Sequence, residues 1–188
     1  NIDGPRKNFK TDKLLCKAVF KEVKKIDWKC KLTIRKSKQN KGCRQSVRNS
    51  IDFFFSKEKY GIILEDDCIP SKDFFIFCEK LLKRFLNFKN LKCISGSNFQ
   101  IKRIGNGDYY FSKYAHCWGW ATWKRAWKDY DNEMKFWEKL KKSDRWKKIH
   151  NNNDIEIKYW NKKFDSVKNK KIDSWAYVWL ESIWNANG

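Results

Sequence analysis

The sequence has only two prolines, and it has no continuous apolar run that could cross a bilayer. A transmembrane helix needs about 20 apolar residues, so no segment is expected to span a membrane by itself. No internal repeat and no linker rich in Pro, Gly or Ser divides the chain, so we expect a single domain over residues 1–188. The chain starts in "NIDGPR" and stops just after a helix-like run, so we expect a fragment truncated at both ends.

Cysteine pairs with metal-binding spacing are also absent. The chain has 7 Cys, and no two of them form a CxxC motif. An odd number without that spacing argues against a zinc ribbon and against a small disulfide scaffold. Several of these residues lie within apolar runs, which is typical of buried, reduced thiols in an intracellular protein. We therefore expect a cytoplasmic protein.

Acidic residues are scarce compared with basic ones. The chain has 43 Lys and Arg against 22 Asp and Glu, a formal net charge of +21. Residues 1–48 alone contain 16 basic and 4 acidic residues. Such a balance suggests an anionic partner, and peripheral contact with an anionic membrane is one expectation. The alternative is a general drift of composition toward lysine.

Helical and strand patterns alternate along the first 114 residues. Helical spacing of apolar residues is interrupted by short apolar runs, which predict strands at 30–36, 61–64, 91–99 and 108–114. This order predicts an α/β fold with a mostly parallel sheet flanked by helices. Ten of the 11 Trp lie beyond residue 114, where we predict a helical part that packs over the sheet.

Three consecutive acids follow the strand predicted at 61–64: Glu65, Asp66 and Asp67. In α/β sheets, ligands bind at the carboxyl ends of the strands. Adjacent carboxylates suit Mg²⁺ or Mn²⁺, which takes oxygen ligands and completes its shell with substrate phosphates. The alternative is a solvated acidic turn before a helix, where acids favour the N-terminus.

Four segments then follow one another in a specific order: "GIILEDDCIPSKDFFIFCEKLL", "ISGSNF", "HCWGWATWKRAW" and "DSWAYVW". This order resembles the nucleotide-diphospho-sugar transferases of the GT-A fold, and more distantly the N-acetylglucosaminyltransferase I group. It is also similar to bacterial and viral sequences described as haemolytic-protein-like. The resemblance covers residues 2–188. It implies a GT-A-like (Rossmann-like) fold, with residues 1–114 as the nucleotide-sugar-binding sheet and 115–188 as the Trp-rich acceptor side.

The resemblance also implies roles for the acidic residues on the donor side. Asp67 would ligate Mn²⁺ or Mg²⁺, which would bridge the donor diphosphate. Glu65 and Asp66 would bind hydroxyls of the donor sugar and the ribose. Asp3, in "DGPR", would contact the nucleotide base.

Further roles are implied for the second half of the chain. Gly119 and Trp120 would form the loop that closes around the donor sugar, and Asp173 in "DSW" would be the catalytic base. From the residues alone, each has an alternative: core packing for Trp120 and a helix N-cap for Asp173. Trp118 and Trp123 are further candidates for stacking on a sugar ring.

The sequence therefore predicts a metal-dependent, inverting glycosyltransferase. A nucleotide sugar, such as a UDP-sugar, would be the donor, and a saccharide or glycoconjugate would be the acceptor. One alternative is a basic, Trp-rich nucleic-acid-binding module, but no RNP, KH, zinc or helix-turn-helix pattern supports it. The other is a relative without transferase activity, which the intact EDD and DSW motifs disfavour.

Overall fold

The computed structural model of the protein describes residues 1–103 and 105–188, which divide into two compact units, Asn1–Ser50 and Ile51–Gly188. The elements in chain order are α1 Asp12–Val23, α2 Cys43–Lys57, β1 Tyr60–Ile63, α3 Lys72–Arg84, β2 Ile94–Ser95, β3 Trp120–Trp123, α4 Lys124–Trp127, α5 Trp137–Lys141, α6 Asp144–Ile149, α7 Asp154–Lys168 and α8 Trp175–Asn185. Among the described residues, no helix is long and apolar enough to cross a membrane.

In the first unit, an ion pair fixes the start of α1. Arg6 Nε and Nη2 donate to the two carboxylate oxygens of Asp12 at 2.7 and 3.0 Å, and the Arg6 backbone N–H donates as well. These bonds, with the side-chain bond as the largest cause, lower the pKa of Asp12 to about 2. The strand predicted over 30–36 is reduced to one parallel bridge between Ile2 and Lys36.

The sheet of the second unit shows that the predicted fold class is wrong. Its three strands lie in the order β1-β3-β2, and β3 is antiparallel to both neighbours. Helices account for 43% of the chain, so the described structure is helix-rich. The mostly parallel, GT-A-like (Rossmann-like) sheet that the sequence predicted is not present in the described residues.

The error has a physical cause in β3. β1 and β2 run in the same direction, as the two strands of a β–α–β crossover through α3 do. β3 inserts between them in the opposite direction, with Ile63 opposite Trp120 and Ile94 opposite Ala121. All four residues of β3 are buried. The sequence "WATW" therefore lacks the alternation of buried apolar and exposed polar residues that marks a half-buried strand. Without that alternation, the sequence predicts that this segment belongs to the helical region.

Side chains alternate across β3 and join the sheet to a helix on each face. Ala121 and Trp123 pack in a cluster with Phe74, Cys78, Leu81, Leu82 and Phe85 of the α3 side. The indole of Trp120 lies on the other face, within ring-contact distance of Trp127, Trp175 and Trp179. The sheet is therefore the middle layer between α3 and α8.

The ends of α3 are capped by side chains from outside the helix. The hydroxyl of Ser71 accepts from the backbone N–H of Phe74 at 3.3 Å, as N-cap residues do. At the other end, the Arg125 guanidinium donates to the carbonyls of Phe85, Leu86 and Leu91. Phe85 is the C-cap residue of α3, and Leu86 and Leu91 lie beyond it, so Arg125 ties the end of α3 and the loop after it to the chain after β3.

Helix α8 is buried on nearly all sides. Eight of its 11 residues are buried, and one of them is Glu181. Burial, as the largest cause, and the negative charge of Asp131 raise the pKa of Glu181 to about 7, although the positive charge of Lys168 opposes this shift. Its Oε1 has no hydrogen-bond partner within the described part of the chain. The charged form of Glu181 is therefore destabilised in the folded protein.

We predict that Glu181→Gln stabilises the fold above neutral pH. A carboxyl group whose pKa is raised from 4.5 to about 7 on folding loses stability as pH rises between these values. At about pH 8 the variant should therefore be more stable by up to about 3 kcal/mol, and near pH 4.5 the two proteins should be similar. Urea unfolding at both pH values measures this. The control is Glu138→Gln on the exposed face of α5, and a difference for Glu181→Gln that does not change with pH would contradict the prediction.

Candidate functional site

The acidic triplet lies where the chain leaves β1. Asp66 and Asp67 form a turn, which is closed by the Cys68 N–H donating to the Glu65 carbonyl at 3.2 Å. Glu65 is half-buried, whereas Asp66 and Asp67 are exposed. Two of the three carboxylates therefore fit the alternative interpretation, a solvated acidic turn. Glu65 does not fit it, because its side chain is half-buried.

Glu65 contacts the first turn of α8. The indole N–H of Trp175 lies beside its carboxylate and favours the ionised form. Burial raises the pKa of Glu65, and the negative charges of Asp67 and Asp66 raise it further, whereas the indole of Trp175 lowers it. Trp175 is buried and stacks on Trp120, with ring centroids 5.4 Å apart. The stack fixes the indole that lies beside Glu65.

Asp173 lies just outside α8. Ser174, not Asp173, is the N-cap residue, and its hydroxyl accepts from the backbone N–H of Tyr177 at 3.3 Å. The alternative role of Asp173 as the helix cap is therefore wrong. Its side chain is exposed, two residues from the indole that lies beside Glu65. The carboxylate of Asp173 is therefore not needed to cap the helix.

The chain before β3 is held against the chain after β2. Gly96 donates its N–H to the Gly119 carbonyl at 2.8 Å, and the Ser97 hydroxyl donates to the Trp118 carbonyl at 3.1 Å. Gly119 has φ of +73°, a conformation that glycine adopts without steric cost. At Gly96, a Cβ atom would lie 2.5 Å from the ring of Phe74. Both glycines are therefore required by the backbone geometry of this turn.

A pocket of about 350 Å³ opens between these segments. Its lining includes Leu64, Asp67, Cys68, Ile69, Pro70, Ser71, Phe74, Gly96, Trp118 and Gly119. Two predicted site residues, Asp67 and Gly119, thus share one cavity of the size that small ligands occupy. The turn of the acidic triplet forms one side of it, and the Trp118–Gly119 turn forms another.

Trp120 has the role that was its alternative in the sequence. It is 1% exposed and packs in the core, and Trp123 is likewise fully buried. Neither ring is available to stack on a sugar. Trp118 is different, because 58% of its surface is exposed.

Asp3 lies in the first unit, where its carboxylate joins two loops. It accepts from the N–H of Gly4 at 2.8 Å, from Asn40 Nδ2 at 3.0 Å and from the N–H of Lys41 at 3.2 Å. These bonds use both carboxylate oxygens within that unit. The contact with a nucleotide base stays a prediction from the resemblance.

The donor set at the acidic turn fits a hard cation better than a soft one. No group of three or more His, Cys, Asp or Glu gathers within the described ranges, so a cation here would need oxygens from a ligand beside Asp67. Burial, and to a lesser extent the negative charge of Glu65, raise the pKa of the Cys117 thiol, so without a bound metal its neutral form is favoured. Exposed carboxylate oxygens that leave several positions open suit Mg²⁺ or Mn²⁺.

The sequence did not reveal two features of this site. The indole of Trp175 lies beside Glu65, although the two residues are 110 positions apart in the sequence, and Ser97 fixes the backbone of Trp118. In the motif "DSW", the sequence singles out Asp173 as the functional residue, whereas Trp175 makes the contact with Glu65. The contact of Ser97 with Trp118 could have been expected only from the motif "SGS" at the end of β2, whose hydroxyl groups can bind a neighbouring backbone.

We predict that Trp175→Phe raises the pKa of Glu65 further. The substitution removes the N–H donor that favours the ionised carboxylate and keeps an aromatic ring in the stack. An NMR titration of the Glu65 side-chain carboxyl carbon measures the shift. Trp137→Phe is the matched control, because the Trp137 indole donates to Asp165 instead, at 2.8 Å. It should raise the pKa of Asp165 and leave Glu65 unchanged, and equal effects on Glu65 would rule out the Trp175 contact.

No family model, no curated protein and no solved structure matches this chain. The resemblance to nucleotide-diphospho-sugar transferases therefore stays an expectation based on the four motifs. The function has to be inferred from the residues that line and surround the pocket.

Proposed function

We propose that this chain is a metal-dependent glycosyltransferase that moves a sugar from a nucleotide-diphosphate donor to a hydroxyl acceptor. One observation carries the proposal. Three segments that are far apart in sequence line one pocket, namely the acidic turn after β1, the Ser95–Ser97 segment through Gly96, and the Trp118–Gly119 turn, and a fourth, the start of α8, lies beside Glu65 of the acidic turn. These are the same four segments whose order resembles the transferases. The proposal does not depend on a parallel sheet.

The donor would bind beside the acidic turn. Asp67 would hold Mn²⁺ or Mg²⁺ together with the diphosphate oxygens, and Asp66 and Glu65 would accept hydrogen bonds from hydroxyls. The metal would supply stabilisation of the negative charge that develops on the leaving diphosphate. A half-buried carboxylate with a fixed indole partner is a well-oriented acceptor for a sugar hydroxyl. A UDP-sugar is the donor that we propose to test first.

The chain's own acid and base chemistry would come from Asp173. The acceptor oxygen attacks the anomeric carbon of the donor while the bond from that carbon to the diphosphate oxygen breaks. The hydroxyl proton passes to the Asp173 carboxylate, and the diphosphate leaves with the bonding electron pair. Attack from the side opposite the leaving group inverts the anomeric carbon, so one base is sufficient. General-base assistance of this kind is typically worth about 10²–10⁴-fold in rate.

We also propose a cytoplasmic location with peripheral contact to an anionic membrane. The support is the net charge of +21, which attracts the chain to acidic surfaces. The same charge would suit a nucleic acid, but nucleic-acid binding needs no divalent cation and weakens steeply with salt. The cation dependence of ligand binding therefore separates the two functions.

We predict that Asp67→Asn abolishes the Mn²⁺-dependent part of nucleotide binding. The amide keeps the shape of the side chain and removes the charge that would hold the cation. Calorimetric titration with UDP, UDP-glucose and UDP-N-acetylglucosamine, each with and without Mn²⁺, measures the effect. Asp144→Asn, an exposed acid in the first turn of α6, is the control and should bind like the wild type. Unchanged Mn²⁺-dependent binding by Asp67→Asn would place the metal elsewhere.

We predict that Asp173→Asn lowers turnover by about 10²–10⁴-fold and leaves donor affinity nearly unchanged. Because Ser174 caps α8, the urea midpoint should also stay unchanged. The release of nucleotide diphosphate in the presence of acceptor gives the rate, and calorimetry gives the affinity. Ser174→Ala is the contrasting variant, since loss of the cap should cost about 1 kcal/mol of stability. Near-normal turnover by Asp173→Asn would remove this residue from the mechanism.

A further inference from the structure

We propose that Trp118, together with Phe99 and His116, forms the platform on which the acceptor saccharide stacks. The identity of the ligand as an acceptor rests on the proposed transferase function. The site itself rests on the following geometry. The three side chains are called the aromatic platform below.

The rings of the aromatic platform contact one another at the protein surface. Trp118 and His116 are nearly parallel, with an angle of 9° between their planes, and Phe99 meets both rings edge-on. Trp118 and Phe99 are 58% and 62% exposed. Clustered rings that keep most of their surface in water mark a binding site more often than single exposed apolar residues do.

The backbone under the aromatic platform is fixed before any ligand arrives. Ser97 donates its hydroxyl to the Trp118 carbonyl, and Ser95 donates to the His116 carbonyl at 3.4 Å. Gly96 binds the carbonyl of Gly119, the next residue after Trp118. A ring on a preorganised backbone loses little freedom on binding, which favours affinity.

The aromatic platform lies where two cavities adjoin. Trp118 lines the pocket of about 350 Å³ that contains Asp67, and His116 lines a second cavity of about 430 Å³. The two cavities share Ser71, Phe74 and Gly96 in their linings. A ligand on the platform would therefore adjoin both the acidic turn and the second cavity.

The chemistry beside the aromatic platform suits a saccharide. The second cavity presents hydroxyl and amide groups from Ser95, Ser97, Asn98 and Tyr110, which can donate to and accept from sugar hydroxyls. A pyranose ring has an apolar face of C–H groups that packs on an indole and polar edges that need such partners. The donor's diphosphate has a charged partner at Asp67, by way of the metal, so we assign the aromatic side, next to these hydroxyl and amide groups, to the acceptor.

Saccharide titrations of the chain without nucleotide or metal test the aromatic platform independently of the transferase proposal. The probes are cellobiose, lactose, chitobiose and α-mannobiose, and the readout is the indole N–H resonance of Trp118 in ¹⁵N-Trp-labelled protein. We expect at least one disaccharide to shift this resonance saturably. Calorimetric titration compares the variants, which lack this indole: Trp118→Ala should weaken that binding by about tenfold or more, and Trp118→Phe should retain most of it. Trp28→Ala is the matched control, since Trp28 is the other strongly exposed Trp of the described chain, at 65%.

Three results would overturn the inference. They are no shift of the Trp118 resonance with any of the four disaccharides, equal affinity in Trp118→Ala and Trp28→Ala, and a comparable shift with cyclohexanol. The last result would show a general apolar patch rather than a saccharide site. If the chain binds a saccharide at the aromatic platform but shows no Mn²⁺-dependent binding of UDP, the transferase proposal is refuted and the saccharide platform stands.

Discussion

The stack of Trp120 on Trp175 is the contact on which the rest of the site depends. Trp120 begins the central strand of the sheet, and Trp175 begins the helix that is buried most completely. Their rings lie 5.4 Å apart, so the helix meets the sheet at its start. Each buried indole removes a large apolar surface from water, and aromatic pairs add about 0.5–1.5 kcal/mol to that burial. Because the indole of Trp175 also lies beside Glu65, the same contact sets both the packing of the core and the position of the carboxylate.

That constraint separates three carboxylates that are neighbours in sequence. Glu65 is drawn inward and oriented, while Asp66 and Asp67 stay in water, where like charges cost less. Asp67 then faces the pocket with the Trp118–Gly119 turn. Asp173, just before α8, is exposed and is not needed for the cap, because Ser174 performs the capping. A single helix start thus presents an exposed carboxylate, the cap and the indole beside Glu65 from three consecutive residues.

The sequence predicted some local elements and failed on the sheet. The strand before the acidic triplet is β1, and the helical spacing of Phe74, Cys78 and Leu81 corresponds to α3, whereas the strand predicted at 108–114 does not form and that at 30–36 is reduced to one bridge. The topology could not be predicted, because "WATW" is buried on both faces and has the composition of a helical or loop segment. Strand pairing between residues about 60 positions apart also has no signature in local spacing. The meeting of Glu65 with Trp175 depends on that pairing and was therefore equally hidden.

The most direct test is to locate the Mn²⁺ that binds together with a nucleotide diphosphate. In ¹⁵N-Trp-labelled protein, the indole resonances report separately on the chain's 11 Trp, and Mn²⁺ broadens those nearest to it, whereas Mg²⁺ does not. With UDP present and Mn²⁺ added in small amounts, the resonances of Trp118 and Trp175 should broaden first. Those of Trp137 and Trp146, in the core of the helical half, should persist. Broadening that begins at Trp137 and Trp146, or that is the same without UDP, would contradict a shared metal and diphosphate site at the acidic turn.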